Sequence, residues 1–316
     1  MKGGETMRLE QLNLFLTCLG SGSFAAAGRL LHLSQQTVTA AVEAIETEVG
    51  ARLLERTPGQ RKPVTATEAG VIFAEYARKA LANYRVMLSA VTLSSGMAGG
   101  TVRIGVTSTP GGTVLPVLVN KFRDENPSVP VQSRTYRGVE LLDRLMRGEF
   151  DIAVTGTRPV RAGVIFDRFF YDPIVLIAPV SMRLPAAITL RELKKLPLIA
   201  RNPSEHLMQL VVQALRRVGL TLEQMNVVMQ VSGNSDVLSS VALGAGVGFV
   251  ARSLLAATRQ NPEIVSVQVR RLQVDRYIYQ IRRENAPFIG GLRLFWQYAL
   301  SPEWRTGVFS FNTMRL

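Results

Sequence analysis

Residues 23–50, SFAAAGRLLHLSQQTVTAAVEAIETEVG, decide how the rest of the chain is read. The stretch predicts two short helices joined by a tight turn. Ser23 caps the first, which carries Phe24, Ala27, Leu30 and Leu31 on one face. Ser34 caps the second, whose Val38, Val42, Ile45 and Val49 recur at helical spacing as one apolar stripe. A serine hydroxyl at a helix start accepts an N–H that has no partner inside the helix, so serine is expected at both places. Gly50 stands where a left-handed residue ends a helix. The other face of the second helix is unusual. Gln35, Gln36, Thr37, Thr39 and Ala40 crowd its amino end. Small or uncharged, they make a poor surface for salt bridges and a good one for reading base edges.

Working outward, residues 7–20 predict a leading helix, with Leu9, Leu12, Leu16 and Leu19 at helical spacing and Phe15 beside them. After Gly50, Leu53-Leu54 begins an extended piece, Pro58-Gly59 turns it and Pro63-Val64-Thr65 returns. This hairpin is a small wing carrying Arg52, Arg56, Arg61 and Lys62 against Glu55, suited to phosphate or minor-groove contact. A solvated basic loop is the plainer alternative. Thr67 then caps a helix over 68–94, in which Phe73, Ala77, Ala80, Tyr84, Leu88 and Val91 repeat every three or four residues. A stripe that long outruns the preceding small domain, which points to a coiled-coil dimer contact, a linker, or both. The Gly/Ser-rich SSGMAGG at 94–100 is a natural hinge.

From residue 101 strands and helices alternate. Strands are expected at 102–106, 129–134, 150–154, 174–178, 198–200, 227–231, 248–251, 264–269 and 277–282. Helices are expected between them at 113–125, 138–147, 189–195, 204–218 and 235–244, with a last one at 288–300. Such alternation means an α/β domain with parallel pairing. Its restart midway, followed by a late return of the chain, suggests a bilobed ligand-binding module. Ligands in such folds sit between lobes, at strand carboxyl ends and helix amino ends.

Composition narrows the class. The 316 residues are enough for two or three domains, with 47% hydrophobic and 19% charged side chains, as in ordinary globular proteins. No uninterrupted apolar run is long enough to span a membrane, and MKGGETMRLEQL lacks a signal-peptide hydrophobic segment, so neither a membrane partner nor export is expected. Cys18 is the single cysteine, which precludes an intrachain disulfide and fits a cytoplasmic protein. The net charge of +13 favours polyanions in general, yet residues 1–100 hold only +2 of it. Any DNA selectivity must therefore come from local pattern.

SFAAAGRLLHLSQQTVTAAVEAIETEVGARLLERT followed by VTATEAG closely resembles the winged helix-turn-helix of LysR-type transcriptional regulators. GTVRIGV, LMRGEFDIAV and SSVALGAGVGFVA extend the resemblance over residues 7–300. The expected fold is an N-terminal all-α winged helix-turn-helix with a long dimerisation helix, then a bilobed α/β effector domain of the periplasmic-binding-protein type. The expected boundaries are 7–66, 67–95 for the linker helix, 96–100 for the hinge, 101–302 for the effector domain and 303–316 for a tail. Lobe I takes about 101–165 and 271–302, and lobe II about 166–270. The resemblance implies a homodimer or homotetramer on an inverted repeat of promoter DNA, with RNA polymerase as a further partner of an activator. It also implies a small effector between the lobes rather than a cofactor or metal. Ser34, Gln35, Gln36, Thr37 and Thr39 correspond to major-groove contacts, Ser23 and Thr67 to phosphate contacts, and Arg56 to the wing. Three departures stand out: Ala40-Ala41 where a long polar residue is usual, Gly28 where alanine is common, and Ala66 where leucine is common.

Effector contacts are sought at helix starts. Thr107, Ser108 and Thr109 follow the first strand of lobe I, Arg137-Gly138 precedes a helix and Thr155 ends a strand. Arg201, Asn202, Ser204, Asn234 and Ser235 occupy the matching places in lobe II. Helix starts and guanidinium groups favour an anion such as a carboxylate, although simple capping accounts for Ser, Thr and Asn equally well. Gly244-Ala245-Gly246-Val247-Gly248 ends a helix and lacks the spacing of a dinucleotide fingerprint. His32 and His206 lie far apart in sequence and Cys18 has no obvious partner, so neither a metal site nor a Cys–His nucleophile is expected. An enzyme is not expected. The rival reading is a solute-binding module or enzyme with an accessory helical domain.

Overall fold

In the computed structural model, which describes residues 7–55, 63–94, 100–257, 261–306 and 309, the chain forms two compact units, the first running to Gly100 and including Met146–Glu149, the second taking Thr101–Leu145 and the chain from Phe150 on. The first unit begins with α1 (Leu9–Ser21), α2 (Phe24–Leu31) and α3 (Gln35–Val49). Both serine caps form: Ala26 N–H donates to Ser23 Oγ at 3.1 Å and Thr37 N–H to Ser34 Oγ at 3.0 Å. His32, with φ 56°, makes the left-handed turn between α2 and α3, and Gly50, with φ 71°, ends α3. Phe15, Cys18, Ala27, Val38, Val42 and Ile45 are fully buried together. The α1 stripe differs from expectation, because Leu12, Leu14, Phe15 and Cys18 are its buried residues while Leu9, Leu16 and Leu19 are half-buried. Leu30 and Val49, expected on the apolar faces, are exposed. The 3.6-residue turn carries Leu30 off the side held by Ala27 and Leu31, and Val49 falls in the last turn.

The wing strands β1 (Leu54–Glu55) and β2 (Thr65–Ala66) pair antiparallel. Helix α4 (Glu68–Ser94) starts at Thr67, whose Oγ1 accepts Gly70 N–H at 3.0 Å and donates to the Arg52 carbonyl at 2.8 Å. Its first half packs on α1 through Ala77 and Leu81 against Leu12, and Phe73 meets Phe15 edge to face at 4.8 Å. Farther along, Tyr84, Met87, Leu88 and Val91 are exposed, so the expected stripe is divided between the small domain and the open surface of the helix. Ala80 also lies on the exposed side. Of the hinge expected at 96–100, all but Gly100 lies outside the described residues.

The second unit runs β3 (Val102–Val106), α5 (Ser108–Gly112), α6 (Val114–Glu125), β4 (Val131–Thr135), α7 (Gly138–Met146), β5 (Ile152–Thr155) and β6 (Val164–Tyr171). It continues with β7 (Ile174–Pro179), β8 (Ala187–Ile188), α8 (Leu190–Leu193), β9 (Leu198–Arg201), α9 (His206–Arg217), β10 (Val227–Val231) and α10 (Asn234–Ala242). Then come β11 (Val247–Ala251), α11 (Arg252–Ala257), β12 (Ile264–Val269), β13 (Tyr277–Arg283) and α12 (Gly290–Leu300). The strands form two sheets, β4-β3-β5-β13-β6 and β10-β9-β11-β7-β12-β8. Parallel pairing holds in β4-β3-β5 and β10-β9-β11, while β13 and β7 join antiparallel.

Two boundaries need correction. Residues 164–171, assigned in part to lobe II, form β6 of the first sheet along the whole of β13, so the first crossing lies at Asp172-Pro173. VIFDRFFY has no clean alternation to mark it as a strand, and only its partner reveals it. The expected tail also belongs partly to lobe I. Trp304 and Phe309 are buried against Phe170, and Arg305 donates to the Phe169 carbonyl at 2.7 Å. Lobe I buries them because its outer sheet edge would otherwise expose Phe169 and Phe170.

Gly28 is buried in α2, and a Cβ there would lie 2.6 Å from the Leu33 carbonyl oxygen. Alanine raises helix propensity by about 1 kcal/mol over glycine in open helix, but here it must displace backbone. Gly28→Ala is expected to lower stability by about 1–3 kcal/mol, the usual range for overpacking, measured by urea unfolding; a gain contradicts this packing.

Candidate functional site: a nucleic-acid reading helix and an interlobe cleft

In the first unit the cap organises the face of α3. Ser34 Oγ accepts the Thr37 N–H and lies 2.8 Å from Thr37 Oγ1, so the two hydroxyls hold each other at the helix start. Gln35 and Gln36 are exposed beside them, Thr39 is half-buried and Ala40 is exposed. Ala41 packs against the core, so of the two alanines only Ala40 belongs to the outer face. A glutamine amide offers a donor and an acceptor together, the pair that matches adenine N6 and N7.

Ser23 and Thr67, expected at phosphates, spend their hydroxyls inside the unit as caps, which leaves neighbouring backbone amides for any such contact. Arg52 is exposed at the start of the wing, whereas Arg56, Arg61 and Lys62 lie outside the described residues. One residue that sequence reasoning missed holds the wing to α3. Glu46 Oε1 accepts the N–H of Leu53 at 2.8 Å and of Leu54 at 3.0 Å. A glutamate on a helix face carries no sequence signal for this role; only the approach of the β1 backbone shows it.

In the second unit the two lobes touch through polar side chains. Thr109, buried at the start of α5, accepts from Asn234 Nδ2 at 2.8 Å across the lobes. Asn234 in turn accepts from Arg201, which also bonds the Ser232 carbonyl and pairs with Glu205. Thr109, Arg201 and Asn234 are therefore brought together. Thr155 is buried at the end of β5 and turns its hydroxyl to the Thr157 N–H. Thr107 begins α5 without a side-chain cap bond, beside Gly138, and Ser108 is exposed. Arg137 is exposed at the head of α7.

Asn202 and Ser204 bond to each other in a local turn, as the capping alternative predicted. Ser235 faces an open groove of 540 Å³ with Leu238, Leu243, Asn261 and Ile264, not the residues of the Thr109–Asn234 contact.

Four residues at this meeting of lobes were not among the expected effector contacts. His206 Nε2 lies 3.0 Å from the Gly156 carbonyl oxygen, joining α9 to lobe I. Asp172, fully buried, accepts Arg276 Nη1 at 2.6 Å, Ser253 N–H at 2.8 Å and Ser253 Oγ at 2.9 Å. Ser253 also bonds Thr113 at 3.1 Å. Burial pushes the Asp172 carboxyl up in pKa, with the Arg276 charge and the Ser253 bonds opposing it. Burial depresses Arg276 despite Asp172. These partners are 104 and 81 residues apart, beyond the reach of any spacing argument.

Two family models match the chain. The bacterial regulatory helix-turn-helix protein of the lysR family matches residues 9–71, and the LysR substrate binding domain matches residues 95–301, more than half of the chain. A probable RuBisCO transcriptional regulator of Cyanidioschyzon merolae is 25% identical over 283 residues, covering 88% of this chain and 92% of that protein. Among solved structures, CbnR, a LysR family transcriptional regulator, is 23% identical with a TM-score of 0.66, covering 93% of this chain and 98% of its own. A full-length OxyR variant from Pseudomonas aeruginosa is 20% identical with a TM-score of 0.70, covering 99% of each chain. At such identities the structures establish likeness of fold.

Because Glu46 fastens the wing strand, Glu46→Ala leaves two partly buried N–H groups without their acceptor. The expected loss is about 1–3 kcal/mol in unfolding free energy, together with weaker DNA binding in a gel-shift titration. Undiminished stability and affinity would show that the wing is held by other contacts.

Proposed function

The chain belongs to the LysR family of bacterial DNA-binding transcriptional regulators, and on that premise we propose how it reads DNA and what controls the reading. The exposed Gln35 and Gln36 at the capped start of α3 carry base discrimination, with Thr39 at the edge of the same face. Ala40 offers no hydrogen bond, so the two glutamines bear more of the selectivity than they would beside a long polar neighbour. The exposed apolar half of α4 joins a second copy of the chain, presenting two reading helices to an inverted repeat in a promoter. CbnR has been solved in complex with its target DNA, which supports this reading.

Control rests with a small organic acid in the cleft where Thr109, Asn234 and Arg201 converge. A guanidinium with adjoining amide and hydroxyl groups suits a carboxylate. The effector acts as a ligand, and no bond of it is broken. Its binding changes the angle between lobes and, through paired α4 helices, the spacing of the DNA-binding units.

Protection of an inverted repeat beside the protein's own gene is expected in a footprint with nonspecific competitor, and it should weaken at least about tenfold in Gln35→Ala/Gln36→Ala, given about 1–3 kcal/mol per bidentate base contact. Absence of any selective protection favours a solute-binding module with an accessory helical domain. A thermal-shift screen of small organic acids supplies the effector, since a ligand of the folded state raises the midpoint. At saturation that effector should shift the footprint or reduce the DNA bend; an unchanged footprint and bend would rule out control by respacing.

A further inference from the structure

Arg276 and His206 both meet Gly156, and Arg201 lies near enough for the charge of Arg276 to act on it. Arg201 ends β9, His206 starts α9 and Arg276 lies on the second crossing before β13. Arg201 and Arg276 are 8% and 5% exposed, and the Nε of each has no hydrogen-bond partner among the described residues. The Arg276 guanidinium presses on Gly156, where a Cβ would stand 2.5 Å from Nη2 and 2.6 Å from Nε. His206 Nε2 reaches the carbonyl oxygen of the same residue. Buried guanidinium nitrogens without acceptors are costly unless an anion completes them.

The surrounding charges define what such an anion requires. Asp172 faces Arg276, and Glu205 faces Arg201 from the start of α9. Asp236, exposed on α10, also acts on Arg201. Arg276 is the charged group that acts on His206, and the Gly156 carbonyl is its hydrogen-bonding neighbour. Burial first, then the Arg276 charge, depresses the pKa of His206, so the imidazole is neutral in the free protein at neutral pH. The two arginines are then already matched by Asp172 and Glu205, and an entering anion brings one negative charge in excess. His206 is placed to take up the proton that compensates it. Once protonated, it keeps the bond to Gly156 through Nε2–H and gains a donor at Nδ1.

We propose that the acidic group of the effector sits beside Gly156 among Arg201, Arg276 and His206, and that its binding carries one proton onto His206. This rests on the cleft being the effector site. Arg276 has a second contact, Asp172 on the first crossing, so occupation of this point is felt where both connections between the lobes run. The ligand class is a small organic acid with a compact anionic head. The sign follows from the proton: affinity rises as pH falls, by up to about tenfold per pH unit between the free and bound pKa values of the imidazole.

Malonate is a suitable probe, titrated calorimetrically into the full-length protein at several pH values between about 6 and about 8, above the depressed range of the free imidazole. Ionic strength is matched with chloride, and two buffers of different ionisation enthalpy report proton uptake. Saturable binding is expected, tightening as pH falls, with net proton uptake that is largest between the free and bound pKa values of the imidazole. His206→Gln keeps a donor for Gly156 and should bind with little pH dependence and no proton uptake. Arg276→Lys keeps the charge opposite Asp172 and should weaken binding about tenfold, as loss of a bidentate contact does.

Asn234→Ala, which removes the Thr109 contact, separates the two ideas. If it weakens binding while His206→Gln matches the parent in pH profile and proton uptake, the proton-coupled site is wrong and the cleft reading stands. If neither substitution alters binding, the anion lies elsewhere and both fail. Absence of saturable malonate binding overturns the proposal.

Discussion

The Asp172–Arg276 pair is the contact on which the second unit turns. The chain passes between the lobes at Asp172-Pro173 and again before β13, and these two passages are bound side by side. Asp172 N–H donates to the Arg276 carbonyl and Ile174 N–H to the Val274 carbonyl, so the passages form a short antiparallel ladder. The buried carboxylate then ties that ladder to Ser253 at the start of α11 and, through its hydroxyl, to Thr113 in lobe I. Charges this deep are not held for stability alone, since desolvation offsets most of the Coulomb attraction. Their value is geometric: one carboxylate with three donors from two segments allows few arrangements of the crossing.

The first unit uses a different constraint for the same purpose. Helix α3 is oriented by apolar burial on one side and by backbone-directed polar groups at its ends. Ser34 and Thr37 close the amino end, Gly50 the other, and Glu46 reaches sideways to the β1 amides. A helix fastened at both ends and along its flank can present exposed glutamines with little conformational freedom. The unit has almost no net charge, so under the proposed reading selectivity comes from geometry rather than attraction.

The resemblance to LysR regulators and the helical periodicity of 23–50 were legible because both are local. Caps, turns and a 3.6-residue repeat involve residues within a few positions of one another. The alternation of strands and helices after residue 101 was legible for the same reason. Errors gathered where a residue's role depends on a distant partner. Strand β6 has no alternation of its own and is defined by β13, more than a hundred residues later. Trp304 and Phe309 read as tail until lobe I supplies the surface that buries them. Thr109, Arg201 and Asn234 were singled out from their places at element ends, whereas the meeting of Asp172 with Arg276 and Ser253 spans too much of the chain for any local cue.

The sequence alone therefore determined the family, the helix-turn-helix with its uncharged outer face, the long helix and the α/β character of the chain beyond residue 101, since each is encoded in short-range spacing and propensity. Tertiary structure alone decided which alanine faces outward, what fastens the wing and where the lobes divide. It also decided which ionisable groups meet at Gly156. The physical reason is that burial and ion pairing are properties of neighbours in space. Those neighbours lie 50 residues apart for His206 and Gly156, and 104 for Asp172 and Arg276.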